Sequence, residues 1–297
     1  MNATITNIKR NALDDGPGIR TLIFFKGCPL NCVWCQNPET KTMNQGISFD
    51  IEVCIKCLEC QETCPENAIN HLNIYPIDLN ACYYCGKCVE ICKMEALRFT
   101  AFEYKVEELI NEIIKDKVFY DNSGGGITLS GGEAMMQFRF LGKFLPEVKK
   151  HGIHVCLETC GYFDFVNFKN FVLPYLDLVY YDLKIFENSF HNKYCGTDNN
   201  LILHNFEKLI KINSIDVLPR IPLIPNITTT KKNLTQWKSY LENHNITKLE
   251  LLPYNPLWIS KISKLGQSVS YNRTTWLTKQ EKDEIKSIFS KFEFKNF

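Results

Sequence analysis

Gly27-Cys28-Pro29-Leu30-Asn31-Cys32-Val33-Trp34-Cys35-Gln36-Asn37 sets three cysteines at Cys-x3-Cys-x2-Cys spacing directly after the apolar run Thr21 to Phe25. Such a run reads as a strand, so the cysteines lie on the loop that leaves it. Three thiolates on one short loop can face a single compact inorganic cluster. The loop has no fourth cysteine, and Cys54 opens a different pattern. A 4Fe-4S cube held by Cys28, Cys32 and Cys35 would therefore keep one iron open to a non-protein ligand. An open coordination position separates catalytic from closed structural metal sites, a rule stated for zinc and extended here to iron. Spacing alone leaves two other readings, a three-cysteine zinc site and an incomplete redox pair.

Beyond the loop lies an internal repeat with a 28-residue period. Cys54-Ile55-Lys56-Cys57-Leu58-Glu59-Cys60-Gln61-Glu62-Thr63-Cys64-Pro65 is followed by Cys82-Tyr83-Tyr84-Cys85-Gly86-Lys87-Cys88-Val89-Glu90-Ile91-Cys92, and each copy ends in an Ala-aliphatic pair, Ala68-Ile69 and Ala96-Leu97. Each copy is the bacterial ferredoxin run, in which the fourth cysteine ligates the other cluster. One 4Fe-4S cluster then takes Cys54, Cys57, Cys60 and Cys92, and the other takes Cys82, Cys85, Cys88 and Cys64. Zinc ribbons also use paired Cys-x2-Cys, but the three-step run with a trailing Cys-Pro is unusual for zinc. Lys93 stands where a second proline is usual. The repeat defines an insert over residues 50–97, leaving 1–49 and 98–297 as the main domain.

The 297 residues suffice for one large domain and a small one, and nothing in them forces oligomerisation, so a monomer is expected. Lys plus Arg number 34 against 33 Asp plus Glu, without a concentrated basic block, which argues against a nucleic-acid partner. The N-terminus lacks the charged start and apolar core of an export signal, and no apolar run approaches a membrane span; no membrane contact and a cytoplasmic location are expected. In a reducing compartment, 14 cysteines imply metal thiolates, not disulfides, and 11 of them fall between Cys28 and Cys92. Cys156, Cys160 and Cys195 are expected to be ordinary buried or half-buried thiols.

From Arg98 onward, helical and strand patterns alternate. Val106, Leu109, Ile110, Ile113, Ile114 and Val118 recur at helical spacing. Strands are expected at Ile127–Leu129, Ile153–Leu157, Leu178–Tyr181, Val217–Ile221 and Leu249–Leu252, with helices near 135–150, 200–212, 232–243 and 279–291. With Thr21–Phe25 this makes six strands, and the alternation implies parallel pairing. The expected fold class is α/β, a partial (β/α)6 TIM-type barrel with an inserted ferredoxin-like two-cluster domain. Each strand ends in unusual polar or glycine-rich sequence: the cysteine loop, Ser130-Gly131-Gly132-Glu133, Glu158-Thr159-Cys160-Gly161, Asp182-Leu183-Lys184, Arg220, and Pro253-Tyr254-Asn255. In β/α barrels chemistry sits at that C-terminal rim.

The cysteine loop joined to Gly-Gly-Glu resembles the radical S-adenosylmethionine superfamily. Asp15-Gly16-Pro17-Gly18-Ile19-Arg20-Thr21 and Ser123-Gly124-Gly125-Gly126-Ile127-Thr128-Leu129-Ser130-Gly131-Gly132-Glu133 are similar to the signatures of glycyl-radical enzyme activating enzymes. The resemblance runs nearly end to end, and the two-cluster insert matches activases of decarboxylases, dehydratases, lyases and benzylsuccinate-type synthases. It implies three 4Fe-4S clusters, with Cys28, Cys32 and Cys35 on the catalytic one and S-adenosylmethionine on its open iron. It implies that Trp34 and Gln36 lie near the adenine, that Gly131, Gly132 and Glu133 meet the methionine amino group, and that Asp182, Lys184 and Arg220 contact the cofactor. Asn255 replaces a histidine found near the cofactor in pyruvate formate-lyase activase. Glu158 and Thr159, with the backbone of Tyr180, match a monovalent-cation site. The implied activity is reductive cleavage of S-adenosylmethionine to a 5′-deoxyadenosyl radical, which takes hydrogen from a glycine of a partner glycyl-radical enzyme, with flavodoxin or ferredoxin as electron donor. The rival readings are a radical enzyme acting on a small molecule and a ferredoxin-type electron carrier.

Overall fold

A computed structural model describes residues 1–295 and 297. Its strands are β1 (Asn2–Ala12), β2 (Arg20–Phe25), β3 (Ile47–Phe49), β4 (Leu97–Phe99), β5 (Phe102–Lys105), β6 (Gly126–Gly131), β7 (His154–Thr159), β8 (Leu178–Asp182), β9 (Asp216–Leu223) and β10 (Glu250–Pro253). The helices are α1 (Glu59–Glu62), α2 (Lys87–Ile91), α3 (Val106–Ile114), α4 (Lys117–Ser123), α5 (Phe138–Lys150), α6 (Phe165–Phe171), α7 (Asn188–Cys195), α8 (Asn200–Leu209), α9 (Lys231–Asn243), α10 (Ile259–Lys264) and α11 (Lys279–Ile288).

The six expected strands pair in parallel in the order β10-β9-β8-β7-β6-β2, in an α/β arrangement with helices between consecutive strands. Two further strands, β1 and β5, extend the sheet antiparallel beyond β2. The sequence reading missed both. Ala3 and Ile5 are buried while their neighbours are not, which is the alternation of a half-covered strand. The expected helix through Val118 is broken at Asp116, whose carboxylate accepts from Thr21 Oγ1 at 2.6 Å and pairs with Arg10 of β1. Helix periodicity cannot report such a pull from a neighbouring strand.

Side chains alternate between the two faces of each strand. One parity, including Ile23, Phe25, Leu129, Val155, Leu157, Val179, Tyr181 and Ile221, is buried in one apolar core with Phe144 of α5, Phe168 of α6, Phe206 of α8 and Trp237 of α9. The opposite parity carries Arg20, Thr128, Ser130, Cys156, Glu158, Tyr180, Asp182, Arg220 and Glu250. Closed β/α barrels fill that face with branched apolar residues. Here it is polar and charged, so it needs internal pairing or a ligand.

The segment 47–99 has its own apolar core of Ile47, Phe49, Cys60, Ile69, Ile77, Cys88, Ala96 and Leu97. The 28-residue repeat recurs in its backbone. Lys56 and Tyr84, Leu58 and Gly86, and Asn67 and Glu95 all have φ between 50° and 87°. Asp50 N donates to Ala96 O at 2.7 Å and Asp78 N to Ala68 O at 2.8 Å, so the two copies are exchanged by a local pseudo-twofold.

Phe144→Ala should lower the stability of the cluster-free chain by about 3–5 kcal/mol in a denaturant titration. Leu72→Ser, at a side chain 94% exposed, should change it by less than about 0.5 kcal/mol. Equal small effects would show that α5 does not anchor the core.

Candidate active site

The cysteine loop is tied down along its length. Gly27 N donates to Thr40 O at 2.7 Å, Cys28 N to Lys41 O at 3.0 Å, Asn31 N to Cys195 O at 2.7 Å and Val33 N to Tyr194 O at 3.0 Å. The end of α7 is thus part of the loop's seat. Lys26, buried just before the loop, donates to Glu39 O at 2.6 Å and Thr100 Oγ1 at 3.3 Å, and burial lowers its pKa.

Cys32 is buried and Cys28 and Cys35 nearly so. Two buried thiols outside the loop act on its cysteines: Cys160 on Cys28, and Cys195 on Cys32. Cys160 beside it draws the Cys28 thiol below its usual value, Cys195 and burial raise Cys32, and burial pushes Cys35 up to about 12. Cys160 and Cys195 are buried, as expected, but their contact with two loop cysteines was not legible from their spacing.

Gly131 and Gly132 are glycines because the chain itself fills the space. Gly131 has φ +111°, and a Cβ there would meet Phe25 N and O at 2.3 Å; at Gly132 it would meet Gly27 O at 2.2 Å. Glu133 N donates to Gly27 O at 2.7 Å, which clamps β6 to the start of the cysteine loop. The Glu133 carboxylate is buried and turned inward, accepting from Thr159 Oγ1 at 2.9 Å, Cys160 N at 2.8 Å and Met135 N at 3.2 Å. Burial raises its pKa against those bonds.

A chain of charges crosses the polar face of the sheet. Lys184 Nζ reaches Asp182 Oδ2 at 3.0 Å, Arg220 reaches Asp182 Oδ1 at 3.0 Å and Glu158 Oε1 at 2.7 Å, and Ser130 Oγ donates to Glu158 Oε2 at 2.5 Å. Arg220 also lies over the Tyr180 ring at 4.8 Å. Burial opposes charge on Asp182, but Arg220 and Lys184 outweigh it and hold the carboxyl below its usual range. Burial likewise opposes the Lys184 ammonium, while Asp182 and then Cys32, Cys160 and Cys195 raise its pKa. Lys184 is thus the cation facing the thiols.

One of the two expected cysteine sets of the insert shares a cavity. Cys54, Cys57, Cys60 and Cys92 line one cavity with Phe49, His71 and Leu97. Burial raises the Cys88 thiol to about 11, helped by the neighbouring Cys82, Cys60, Cys64 and Cys85. Among the described residues no three His, Cys, Asp or Glu side chains close on a point that one metal ion could fill.

A family model for a 4Fe-4S single cluster domain matches residues 14–74 and 79–202. The chain is 39% identical to the trans-4-hydroxy-L-proline dehydratase activating enzyme of Clostridioides difficile, over 99% of this chain and 98% of that one. It is 33% identical to the choline trimethylamine-lyase activating enzyme of Oleidesulfovibrio alaskensis, over 98% and 96%, and 33% identical to the pyruvate formate-lyase 2-activating enzyme of Escherichia coli, over 90% and 82%. The chain belongs to the glycyl-radical enzyme activating enzymes. A radical S-adenosylmethionine methyltransferase from Sphaerobacter thermophilus shares the fold, with TM-score 0.53 at 10% identity over 98% of this chain and 76% of that one.

In this activating enzyme the other expected contacts fall in different places. Trp34 is buried in the main core and offers almost no surface to a ligand, whereas Gln36 is exposed and its carbonyl accepts from Lys261 Nζ at 3.0 Å. Asn255 Oδ1 is engaged by Leu257 N at 2.9 Å, capping the turn after β10. Glu158 and Thr159 point to opposite faces of β7, one toward Arg220 and the other toward Glu133, so their side chains do not converge on one cation. The Asp15-to-Arg20 signature packs on the glycine signature at the opposite end of the sheet from the thiols: Ser123 Oγ accepts from Ile19 N at 2.8 Å, and Arg20 Nε donates to Thr128 Oγ1 at 2.6 Å.

Gly131→Ala and Gly132→Ala should each lower the melting temperature of the cluster-free activating enzyme, the first because its left-handed backbone alone costs about 1–3 kcal/mol with a side chain, the second because its Cβ would meet Gly27 O at 2.2 Å. Unchanged stability with weakened S-adenosylmethionine binding would mean that the glycines serve only ligand approach.

Proposed function

We propose that the chain generates the glycyl radical of a partner enzyme by reductive cleavage of S-adenosylmethionine at the cluster held by Cys28, Cys32 and Cys35. The carrying observation is a three-cysteine loop without a fourth ligand, clamped to the end of β6 by Glu133 N to Gly27 O, with Lys184 acting on two of its thiols, Cys28 and Cys32. The chemistry a reduced 4Fe-4S cluster supplies there is one electron to the sulfonium, releasing methionine and a 5′-deoxyadenosyl radical that takes hydrogen from a glycine Cα. The chain's residues bind, orient and shield. Lys184 offers a point charge to the methionine carboxylate. Gly131 and Gly132 leave backbone groups of β6 next to the loop, and the inward turn of Glu133 keeps that edge rigid. Asp182 and Arg220 hold Lys184 and one another in place and mark the strand ends facing the nucleoside. Burial of the thiols keeps water away.

The architecture is a partial (β/α)6 barrel with a ferredoxin-like unit at 50–97 holding two further 4Fe-4S clusters. The cavity lined by Cys54, Cys57, Cys60 and Cys92 supports the first. Those clusters relay electrons from flavodoxin or ferredoxin to the catalytic one, in a monomeric, cytoplasmic protein. A monovalent cation near Glu158 and Thr159 would be held largely by backbone carbonyls, since both side chains are engaged.

Anaerobically reconstituted, reduced protein incubated with S-adenosylmethionine should yield 5′-deoxyadenosine, and Cys32→Ala should yield none. No product from wild type with its cluster intact would sink the assignment. Replacing Cys57 and Cys85 by Ala should lower flavodoxin-driven radical formation at least tenfold while sparing most of the dithionite-driven reaction, on the order of the effects of losing a supporting metal site. Equal loss with both reductants would assign the insert a structural role.

A further inference from the structure

The two halves of the insert are alike in backbone but not in what touches their cysteines. His71 Nε2 lies 3.1 Å from Cys60 Sγ, and His71 lines the same cavity as Cys54, Cys57, Cys60 and Cys92. The ring is held by an edge contact with Phe49, centroids 6.1 Å apart at 71°, and its backbone N–H faces Gln61 Oε1 at 3.5 Å. Shifting by the 28-residue period carries Cys60 to Cys88 and His71 to Phe99. Phe99 packs in the insert core against Gly86, with no hydrogen to donate. The donors to the second set are of another kind, both from the backbone: Ala68 N to Cys64 Sγ at 3.3 Å and Tyr84 N to Cys82 Sγ at 3.4 Å.

We propose that His71 is a positioning residue of the insert that donates its Nε2–H to the Cys60 thiolate and raises the reduction potential of the cluster on Cys54, Cys57, Cys60 and Cys92. A hydrogen bond to a ligand sulfur draws negative charge from it and stabilises the reduced, more negative cluster, and such bonds are among the levers that set cluster potentials. The neutral imidazole suffices, with its proton on Nε2. The consequence is that the two insert clusters are unequal, and an electron rests preferentially on the one beside His71.

This inference rests on the reading that the insert holds two clusters, so iron and sulfide are counted first on the full reconstituted chain. Too little iron for three clusters in the wild type would overturn that reading and the present inference with it. With three clusters loaded, potentiometric titration followed by electron paramagnetic resonance should show one midpoint shifted to more negative potential in His71→Phe, which copies the second repeat. The other two midpoints should not move, and His71→Gln, which keeps an N–H donor, should restore much of the shift. Unchanged midpoints in a fully loaded His71→Phe would refute the role of His71. Should His71→Phe fail to hold its cluster, pulsed resonance on reduced wild type with isotopically labelled histidine nitrogen decides. A hyperfine coupling to that nitrogen is expected, and its absence overturns the proposal.

Discussion

The contact on which the site depends is the backbone approach of β6 to β2 at Gly131, Gly132 and Gly27, too close for any side chain. The two strands are neighbours in the sheet, yet the cysteine loop and the whole insert lie between them in sequence. The bond from Glu133 N to Gly27 O therefore fixes one end of the cysteine loop against a strand that arrives about a hundred residues later, and Asn31 and Val33 fix its middle to the end of α7. A loop anchored to three separate elements cannot rearrange without dismantling the sheet edge beneath it. That rigidity is what a ligand shell needs, because thiolates left to wander lose geometry before they lose affinity.

The charges on the polar face follow from the same sheet. Burying an isolated ion is costly, and a buried pair is tolerated only when further bonds satisfy what remains. Arg220 meets this by dividing its donors between Asp182 and Glu158, and Glu158 turns its second oxygen to Ser130. Asp182 then has one oxygen for Lys184, whose other electrostatic neighbours are thiols. The ladder ends in a cation facing sulfur. A face that would carry branched aliphatics in a closed barrel is in this way kept polar without being left unpaired.

Much of this was legible in the sequence, for identifiable reasons. Apolar runs of three to five residues between glycine and charge clusters mark parallel strands, and all six appear with ends shifted by at most two residues. The repeat is visible because ligand spacing and the left-handed positions recur with the same period. What was not legible depends on neighbours distant in the chain. β1 is an ordinary alternating strand whose partner could not be guessed, Asp116 breaks a helix because Thr21 and Arg10 are beside it, and Trp34 faces the core although its flanking residues are on the loop surface. Glu133 shows the limit most clearly. Its motif points to a ligand, while its carboxylate holds Thr159 and Cys160, so the motif's contribution to the site is a backbone edge.

Cys160 and Cys195 sharpen the meaning of the open iron. Counted along the loop, the fourth ligand is missing for want of a cysteine; counted in space, two more thiols are at hand. Proximity alone does not make either a ligand. A thiol beside Cys28 or Cys32 is next to a sulfur that the proposed cube would use at one corner, whereas a fourth ligand must reach a corner well removed from the other three. The backbone of each residue is also tied down: Cys160 N donates to Glu133, and the carbonyl of Cys195 accepts from Asn31 N. On the proposed reading, a cube on the loop would thus keep its open corner although two further thiols stand nearby, because the loop's anchors set which sulfurs face it.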